Sequence, residues 1–416
     1  MGATQTDRIL TLDAVRGVAV MGILLMNIVA FGLIEPAYMN PRAQGGASGA
    51  DLAVYLVNFV LFDGKMRGLF SFLFGASTLL VIDRATAKGE NPARVHYARM
   101  IWLLAFGLAH LWLLWWGDIL NHYALVGMIA FFFRRMPVRR MIAIGGLLIL
   151  FQTLVLATLP TAIWTMSHGL GDMSATARAA TLAGFDRDFG VPPAAWIAER
   201  MALYRGGYAT LTAARFHEQA WAPINTLIFV GPETLAYMLF GMAGLKSGML
   251  SGAWPRARYR TWLTIGFGIG IPAYLAIAAF MVAFDFSTFA VVAGVLVAAT
   301  PFRPAMIVGW ACLIILTIRP GGALTARIAA AGRMAFTNYL VTSLICTTIF
   351  YGYGLGWFGA LSRAELYLVV AAVWAGMLLW SKPWLERFRY GPFEWGWRSL
   401  ARFAFQPMRG GALAGG

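Results

Sequence analysis

Long apolar runs separated by short basic clusters set the pattern of this sequence. The first run, Leu12 to Phe31, reads LDAVRGVAVMGILLMNIVAF and is 20 residues long. At about 1.5 Å per residue it matches the roughly 30 Å hydrocarbon core of a bilayer. The run from Asp51 to Ile82 is broken by DGKMRG at 63–68, which predicts a short helix to Phe62, a break, and a spanning helix from Met66. A Trp-rich third helix reaches Trp116, GDILNHY at 117–123 forms a tight outer turn, and a fourth helix ends at Phe133. A fifth is expected over 141–159 and a sixth over 223–245, interrupted by GPE at 231–233. Between them, 160–221 mixes polar and apolar residues and contains Pro192 and Pro193. It reads as an outer-face insertion with one or two amphipathic helices. Three apolar runs follow at 262–283, 286–300 and 303–319. Asp285 and the PFRP at 301–304 predict that one of these pieces is re-entrant or kinked. Helices over 334–350 and 364–380 bring the count to ten or eleven membrane segments. The predicted fold class is all-α: a polytopic integral membrane bundle, with residues 1–416 as a single transmembrane domain.

Charge gives the pattern a direction. RRMPVRR at 134–140 carries four arginines, and further clusters lie at 83–99, 256–260 and 319–333. Basic loops of this kind mark the cytoplasmic side. Both termini are therefore expected inside, and the basic, aromatic tail at 381–416 is expected along the cytoplasmic interface. Only 12% of the 416 residues are charged and 60% are hydrophobic, with a mean hydropathy of +0.68. A soluble domain carries about 25% charged residues. The net charge of +15 sits in short inter-helix clusters, a distribution that points to membrane topology and excludes a nucleic-acid surface. Asp13 and Arg16 interrupt the first run and no small-residue cleavage site follows it, so it reads as a resident helix and not a signal peptide. Cys312 and Cys346 lie in apolar runs and read as small core residues.

A polar side chain at membrane depth is costly unless something answers it. Arg16 and Asn27 are eleven residues apart, about three turns, and share one face of the first helix. His110 lies near mid-membrane, and imidazole is suited to act as base and then acid near neutral pH. Asp118, eight residues on, reads as two turns along the same face, where it would orient that imidazole. Lys65 and Arg67, with Asp63, sit at a helix break where two cations and free backbone N–H groups suit an anion. Glu233 lies at the GPE break, and Arg333 and Asn338 open a helix in GRMAFTNYL as a second anion site. The bland alternative is the same for each: a structural pair, a helix cap or a snorkelling anchor. His96, His122, His168 and His217 read as surface residues. No HExxH, CxxC, GxSxG or phosphate-loop pattern is present, and no metal is expected.

Several stretches together resemble one family. LDAVRGVAVMGILLMNI, DGKMRGLFSFLFGAS, GLAHLWLLWWGDILNHYALVG, GRMAFTNYLVTSLICTTIFYGYGLG and RFRYGPFEWGWRSL are similar to the YeiB family of bacterial inner-membrane proteins, over nearly the whole chain. The resemblance implies a relationship to heparan-glucosaminide acetyltransferase and, more distantly, to bacterial membrane O-acyltransferases. Those proteins are taken to move an acyl group from cytoplasmic acyl-CoA to a sugar hydroxyl or amine across the membrane. Their first helix has a similar LDxxRG start. In the O-acyltransferases a His stands eleven residues after that Arg, where this chain has Asn27. Asn cannot be a general base, which leaves His110 with Asp118 as the replacement.

The expected function is therefore acyl transfer at the inner membrane, with acyl-CoA as co-substrate. His110 and Asp118 would be catalytic, with Asn27 as oxyanion donor, and Arg16, Lys65, Arg67, Glu233, Arg333 and Asn338 would bind substrate. The expected partners are the bilayer, acyl-CoA, a glycan acceptor and a second copy of the chain. The alternative is a transporter or lipid-handling protein for a small anionic solute, using the helix breaks at DGK, GPE and PFRP as a midplane site and His110 for proton coupling. A third reading is a structural partner of another envelope protein.

Overall fold

The computed structural model describes residues 5–409, which are helical throughout, with no β-strand. Helix α1 (Gln5–Gly32) is the axle of the bundle. Its apolar stretch is 83% buried, against 17% for the long helix α6 introduced below. Helix α2 (Gly49–Leu61) ends at the expected break, where Gly64 takes φ +68°, and α3 (Lys65–Ala87) restarts at once. Helix α4 (Pro92–Ala109) runs into a π-helical turn, His110–Leu114. The reversal after it is shorter than expected: GDI forms the turn, and Leu120 already begins α5 (Leu120–Ala130). His122, inside α5, and His96, which bonds the Gly127 carbonyl at 3.0 Å, are 2% and 1% exposed, not surface residues.

Helix α6 (Val138–Ser167) is longer than the expected 141–159 because Pro160 lies inside it. A membrane helix tolerates an interior proline when neighbours answer the freed carbonyl. The insertion that follows holds three helices, where one or two were expected: α7 (Ala175–Phe189), α8 (Ala194–Tyr204) and α9 (Tyr208–Glu218). Each start has a local cause. Ser174 accepts the Ala177 N–H, Pro193 precedes α8, and Gly207 precedes α9. Tyr204 and Leu211 pack into the same apolar cluster as Phe31, Trp115, Phe350 and Phe358. The insertion therefore caps one end of the bundle.

Helices α10 (Ala222–Phe229) and α11 (Gly231–Lys246) meet at 63° around Val230, the GPE break. After α12 (Arg256–Ala283), Asp285 and Phe286 turn the chain with φ of 50° and 52°. The three apolar runs of 262–319 resolve into two segments. The second begins with α13 (Thr288–Val291), distorts through a π-helical stretch at 292–298 and a 3-10 turn at 300–302, and continues as α14 (Arg303–Thr317). The PFRP motif thus bends one apolar segment instead of dividing two. The basic stretch at 319–333 folds as α15 (Ala323–Arg333), and α16 (Ala335–Phe350) follows after Met334. Helix α17 (Arg363–Arg387) starts with a Ser362–Glu365 capping box and passes through Pro383, so it takes in the first residues of the expected tail. Helix α18 (Pro392–Arg402) lies across the basic end.

Among the described residues seven helices are long and apolar enough to cross a membrane, or eight with the bent α10–α11 pair; Leu120–Phe133 and Ala335–Phe350 are apolar but shorter. Glycine brings the central helices close. A Cβ on Gly332 would lie 1.9 Å from the Asp13 carbonyl oxygen, and one on Gly17 would lie 2.0 Å from that of Ile328. This mutual approach of α1 and α15 holds the polar start of α1 at the bundle's basic end. Cys312 and Cys346 are both buried and unpaired.

Candidate functional site

His110 closes α4 and opens the π-helical turn, whose defining bond runs from the Trp115 N–H to the His110 carbonyl at 2.8 Å. Such turns insert one extra residue per turn and recur at functional sites. Trp115 then adopts extended geometry and reverses the chain. The reversal carries Asp118 back onto His110, with Nδ1 to Oδ1 at 2.8 Å. Two turns of one straight helix would have left the pair roughly 12 Å apart; the contact comes from the π-turn and the reversal, not from a shared helix face. Asp118 is fixed from the other side, since Oδ2 accepts the backbone and side-chain N–H groups of Asn121 at 2.8 Å each. A carboxylate only accepts, so Nδ1 of His110 carries the proton. Nε2 is buried with no hydrogen-bond partner. An oriented imidazole with one free nitrogen lone pair is the geometry of a general base.

The ring lies 5.2 Å from that of Tyr339 and 6.2 Å from that of Trp115. Tyr339 in turn lines a cavity of about 330 Å³, together with Ile119 and Leu120 next to Asp118. The imidazole thus stands one side chain behind the cavity wall. This volume falls within the range of small-molecule sites. The apolar upper part is bounded by Val20, Ile23, Phe70 and Phe74. The lower part holds Arg16, Arg84, Arg99, Arg333, Arg389 and Arg398 against only Asp13 and Glu394. It opens into a vestibule of about 680 Å³ that shares Arg84, Arg99 and Arg398 and adds Lys88, Arg94 and Arg402. Among the described residues, only Arg16 of these cations forms an ion pair, with Asp13 at 3.0 Å, and it also donates to Ser77 at 2.9 Å. Arg99 lies over the Trp397 ring at 4.1 Å and Arg398 over Tyr390 at 4.7 Å. Burial, with Arg16 and Arg402 adding to it, pushes the Arg398 guanidinium below its ordinary value.

The remaining residues singled out from the sequence fall elsewhere. Asn27 continues the Arg16–Val20–Ile23 stripe one turn beyond the cavity lining; it is half-buried and its side chain has no hydrogen bond among the described residues. Arg67 pairs with Glu233 at 2.6 Å in a separate buried network. The other Glu233 oxygen accepts from Arg303 and from the Tyr237 hydroxyl, each at 2.6 Å. Lys65 is fully buried, with Nζ donating to the Phe59 carbonyl and lying over the Tyr274 ring. Asn338 braces α16 against α17: its amide donates to Ala331 and Ser381 and accepts from Trp380. Thus His110 joins Asp118 and Arg16 joins Arg333, while Arg67, Glu233 and Lys65 lie apart from both.

Arg303, the third member of the Glu233 network, was passed over in the sequence because it sits in PFRP, read there only as a break. Tyr339, Arg84, Arg99 and Arg398 were hidden differently. Each reads as an ordinary aromatic or loop cation until the fold gathers them.

Residues 245–404 match a family described as "Protein of unknown function (DUF418)". The whole chain is 34% identical to the uncharacterized protein YeiB of Escherichia coli (strain K12), covering 96% of this chain and 98% of that protein. The chain belongs to the YeiB family. It is also 31% identical to the uncharacterized protein YxaH of Bacillus subtilis (strain 168), over 97% of this chain and 96% of that one. No solved structure matches the chain. In this YeiB-family chain the 245–404 match supplies one wall of the cavity, with Arg333, Tyr339, Arg389, Glu394 and Arg398. The His110–Asp118 pair and Arg16 come from the preceding part.

Proposed function

We propose that this protein is a transmembrane acyltransferase of the bacterial inner membrane, drawing acyl-CoA from the cytoplasm and acylating a glycan hydroxyl or amine from the other side. The observation that carries the reading is a cation-rich cavity, largely without ion pairs, that ends one side chain short of an Asp-oriented histidine with a free Nε2. The seven long helices, the bent pair and the two shorter apolar helices together would make ten crossings, and with the basic loops inside, both termini and the vestibule would then face the cytoplasm. The phosphates of the donor would lie among Arg84, Arg99, Arg333 and Arg398, with Arg16 deeper, and the acyl chain against Val20, Ile23, Phe70 and Phe74. Nε2 of His110 would take the proton from the acceptor as its oxygen or nitrogen attacks the thioester carbonyl. The Asn27 amide would donate to the oxygen that becomes negative. As the C–S bond breaks, the imidazolium returns the proton to the departing thiolate, so that the products are the acylated acceptor and free CoA.

The test is binding and transfer with purified full-length protein. Acyl-CoA should bind the wild type and His110→Ala alike, while transfer to acceptor should fall by about 10²–10⁴ in the variant. Absence of binding by any acyl-CoA would remove this reading. Flux of an anionic solute into liposomes that depends on His110 and leaves no acylated product would establish a transporter instead; the distortions at 231 and 292–302 are the features such a protein would use.

A further inference from the structure

The end of the bundle opposite the basic vestibule holds a buried cation that nothing so far has used. Arg215, on α9, is 3% exposed. Its Nε, Nη1 and Nη2 are all buried and all lack a hydrogen-bond partner. Among the described residues no other guanidinium is in that state, since in Arg200, Arg303, Arg363 and Arg398 only Nε is both buried and unpartnered. A buried guanidinium with five idle N–H groups is among the costliest things a fold can contain. Glu218 and one oxygen of Glu35 are already taken. Arg200 holds Glu35 at 2.6 Å and Glu218 at 2.8 Å, and the Tyr204 hydroxyl donates to the same Glu35 oxygen at 2.7 Å.

What surrounds Arg215 is a set of donors. It lies over the Tyr351 ring, 5.5 Å from the centroid. The Tyr351 hydroxyl is buried and unpartnered, and so is Thr212 Oγ1, one turn earlier on α9. A carboxylate oxygen left idle in this part of the molecule is Glu35 Oε2; Tyr204, which donates to Oε1 of the same group, lies 5.2 Å from Tyr351, ring to ring. A cation with several neutral donors is the recognition chemistry of an oxyanion. An acceptor oxygen a little further off suits hydroxyl groups on the same molecule. Helix α9 is also lashed to the turn that carries His110. Trp112 stacks on Phe216 at 5.4 Å, and the Tyr208 hydroxyl donates to the Leu113 carbonyl at 2.9 Å.

We propose that Arg215 binds the carboxylate or phosphate of an anionic sugar, a hexuronate or a phosphorylated sugar, at the end of the bundle opposite the basic vestibule. Its role as the acceptor subsite rests on the acyltransferase reading; the anion site itself does not. The test uses the full-length protein in neutral detergent, with Arg84→Gln and Arg99→Gln introduced so that the basic cavity competes less. Thermal unfolding is followed against inorganic phosphate, glucuronate and glucose. Saturable stabilisation by phosphate or glucuronate but not by glucose is expected, about tenfold weaker in Arg215→Gln and largely recovered in Arg215→Lys. Should Arg215→Gln fail to fold, Thr212→Val and Tyr351→Phe keep the charge and are expected to weaken binding about threefold each.

Equal anion affinity with and without the guanidinium overturns the proposal. So does a response to glucuronate that is present in phosphatidylcholine nanodiscs and abolished in phosphatidylglycerol ones, because the site would then belong to a lipid headgroup. Acyl-CoA affinity in the otherwise wild-type Arg215→Gln protein is read separately and is expected to be unchanged. Loss of acyl-CoA binding in the wild type would end the transferase reading while leaving the anion site standing.

Discussion

Glu233 shows how far one carboxylate can be committed. Its two oxygens serve Arg67, Arg303 and Tyr237, each at 2.6 Å; Glu233, Arg303 and Tyr237 are buried and Arg67 is half-buried. Replacing it with Gln leaves two guanidinium groups to share one neutral amide. Removing one partner of a buried pair costs about 3–5 kcal/mol. Glu233→Gln is therefore expected to lower the unfolding temperature sharply, and Glu233→Gln with Arg303→Met to recover part of the loss; equal stability of wild type and single variant would refute this account. Glu233 and Arg67 were visible in the sequence as charges at helix breaks, and their type was informative. Their partnership was not, because 166 residues separate them. His110 and Asp118 are legible as a pair for an incomplete reason: the spacing suggests a shared face, but only the π-turn and the reversal at Trp115 bring them into contact.

The start of α16 depends on a side chain from another helix. Glu394 of α18 accepts the Phe336 N–H at 2.8 Å and the Thr337 N–H at 3.1 Å through Oε1, and the Thr337 hydroxyl through Oε2. It acts as the cap that Met334, with no side-chain acceptor in place, does not provide. Burial pushes the Glu394 carboxyl above its ordinary value of 4.5, against the opposing pull of these hydrogen bonds. A raised native value means that the folded state binds more protons than the unfolded chain above that ordinary value. Stability from this group is then present at low pH and declines as pH rises through the native value. Glu394→Gln is expected to remove that pH dependence and to cost about 1 kcal/mol at acidic pH from the weaker cap, measurable as unfolding midpoints across a pH series. Most helices were legible as apolar runs bounded by basic clusters. The three insertion helices were not, since their starts lie in single capping residues such as Ser174, and α17 ran on because Pro383 did not stop it.

Taken whole, the molecule has one strongly basic end. The net charge of +15 was read from the sequence as topology, and that reading accounted for where the arginines lie along the chain. It did not reveal that the segments 84–99 and 389–402 fold together around one vestibule. That convergence depends on α18 packing beside α4, with the Trp397 indole donating to the Arg99 carbonyl at 2.8 Å. If the vestibule binds a polyanion, affinity must fall with ionic strength, because exposed charges are screened over about 8–10 Å at physiological salt. Arg84→Gln with Arg99→Gln is expected to weaken acyl-CoA binding by about tenfold or more at low salt and to flatten its salt dependence. A salt response identical to the wild type would place the donor elsewhere.

Tyr339 is the wall between the chamber and the imidazole, its hydroxyl accepting the Ile119 N–H at a long 3.3 Å. On the proposed reaction this ring is a shutter. A thioester loaded from below would face no base until the phenol swings aside, so the donor would not be squandered on water while no acceptor waits above. Tyr339→Ala should then release CoA steadily in the absence of any acceptor, read as free thiol over time, where the wild type stays silent; a wild type that already hydrolyses at the variant's rate would mean that the shutter does not exist.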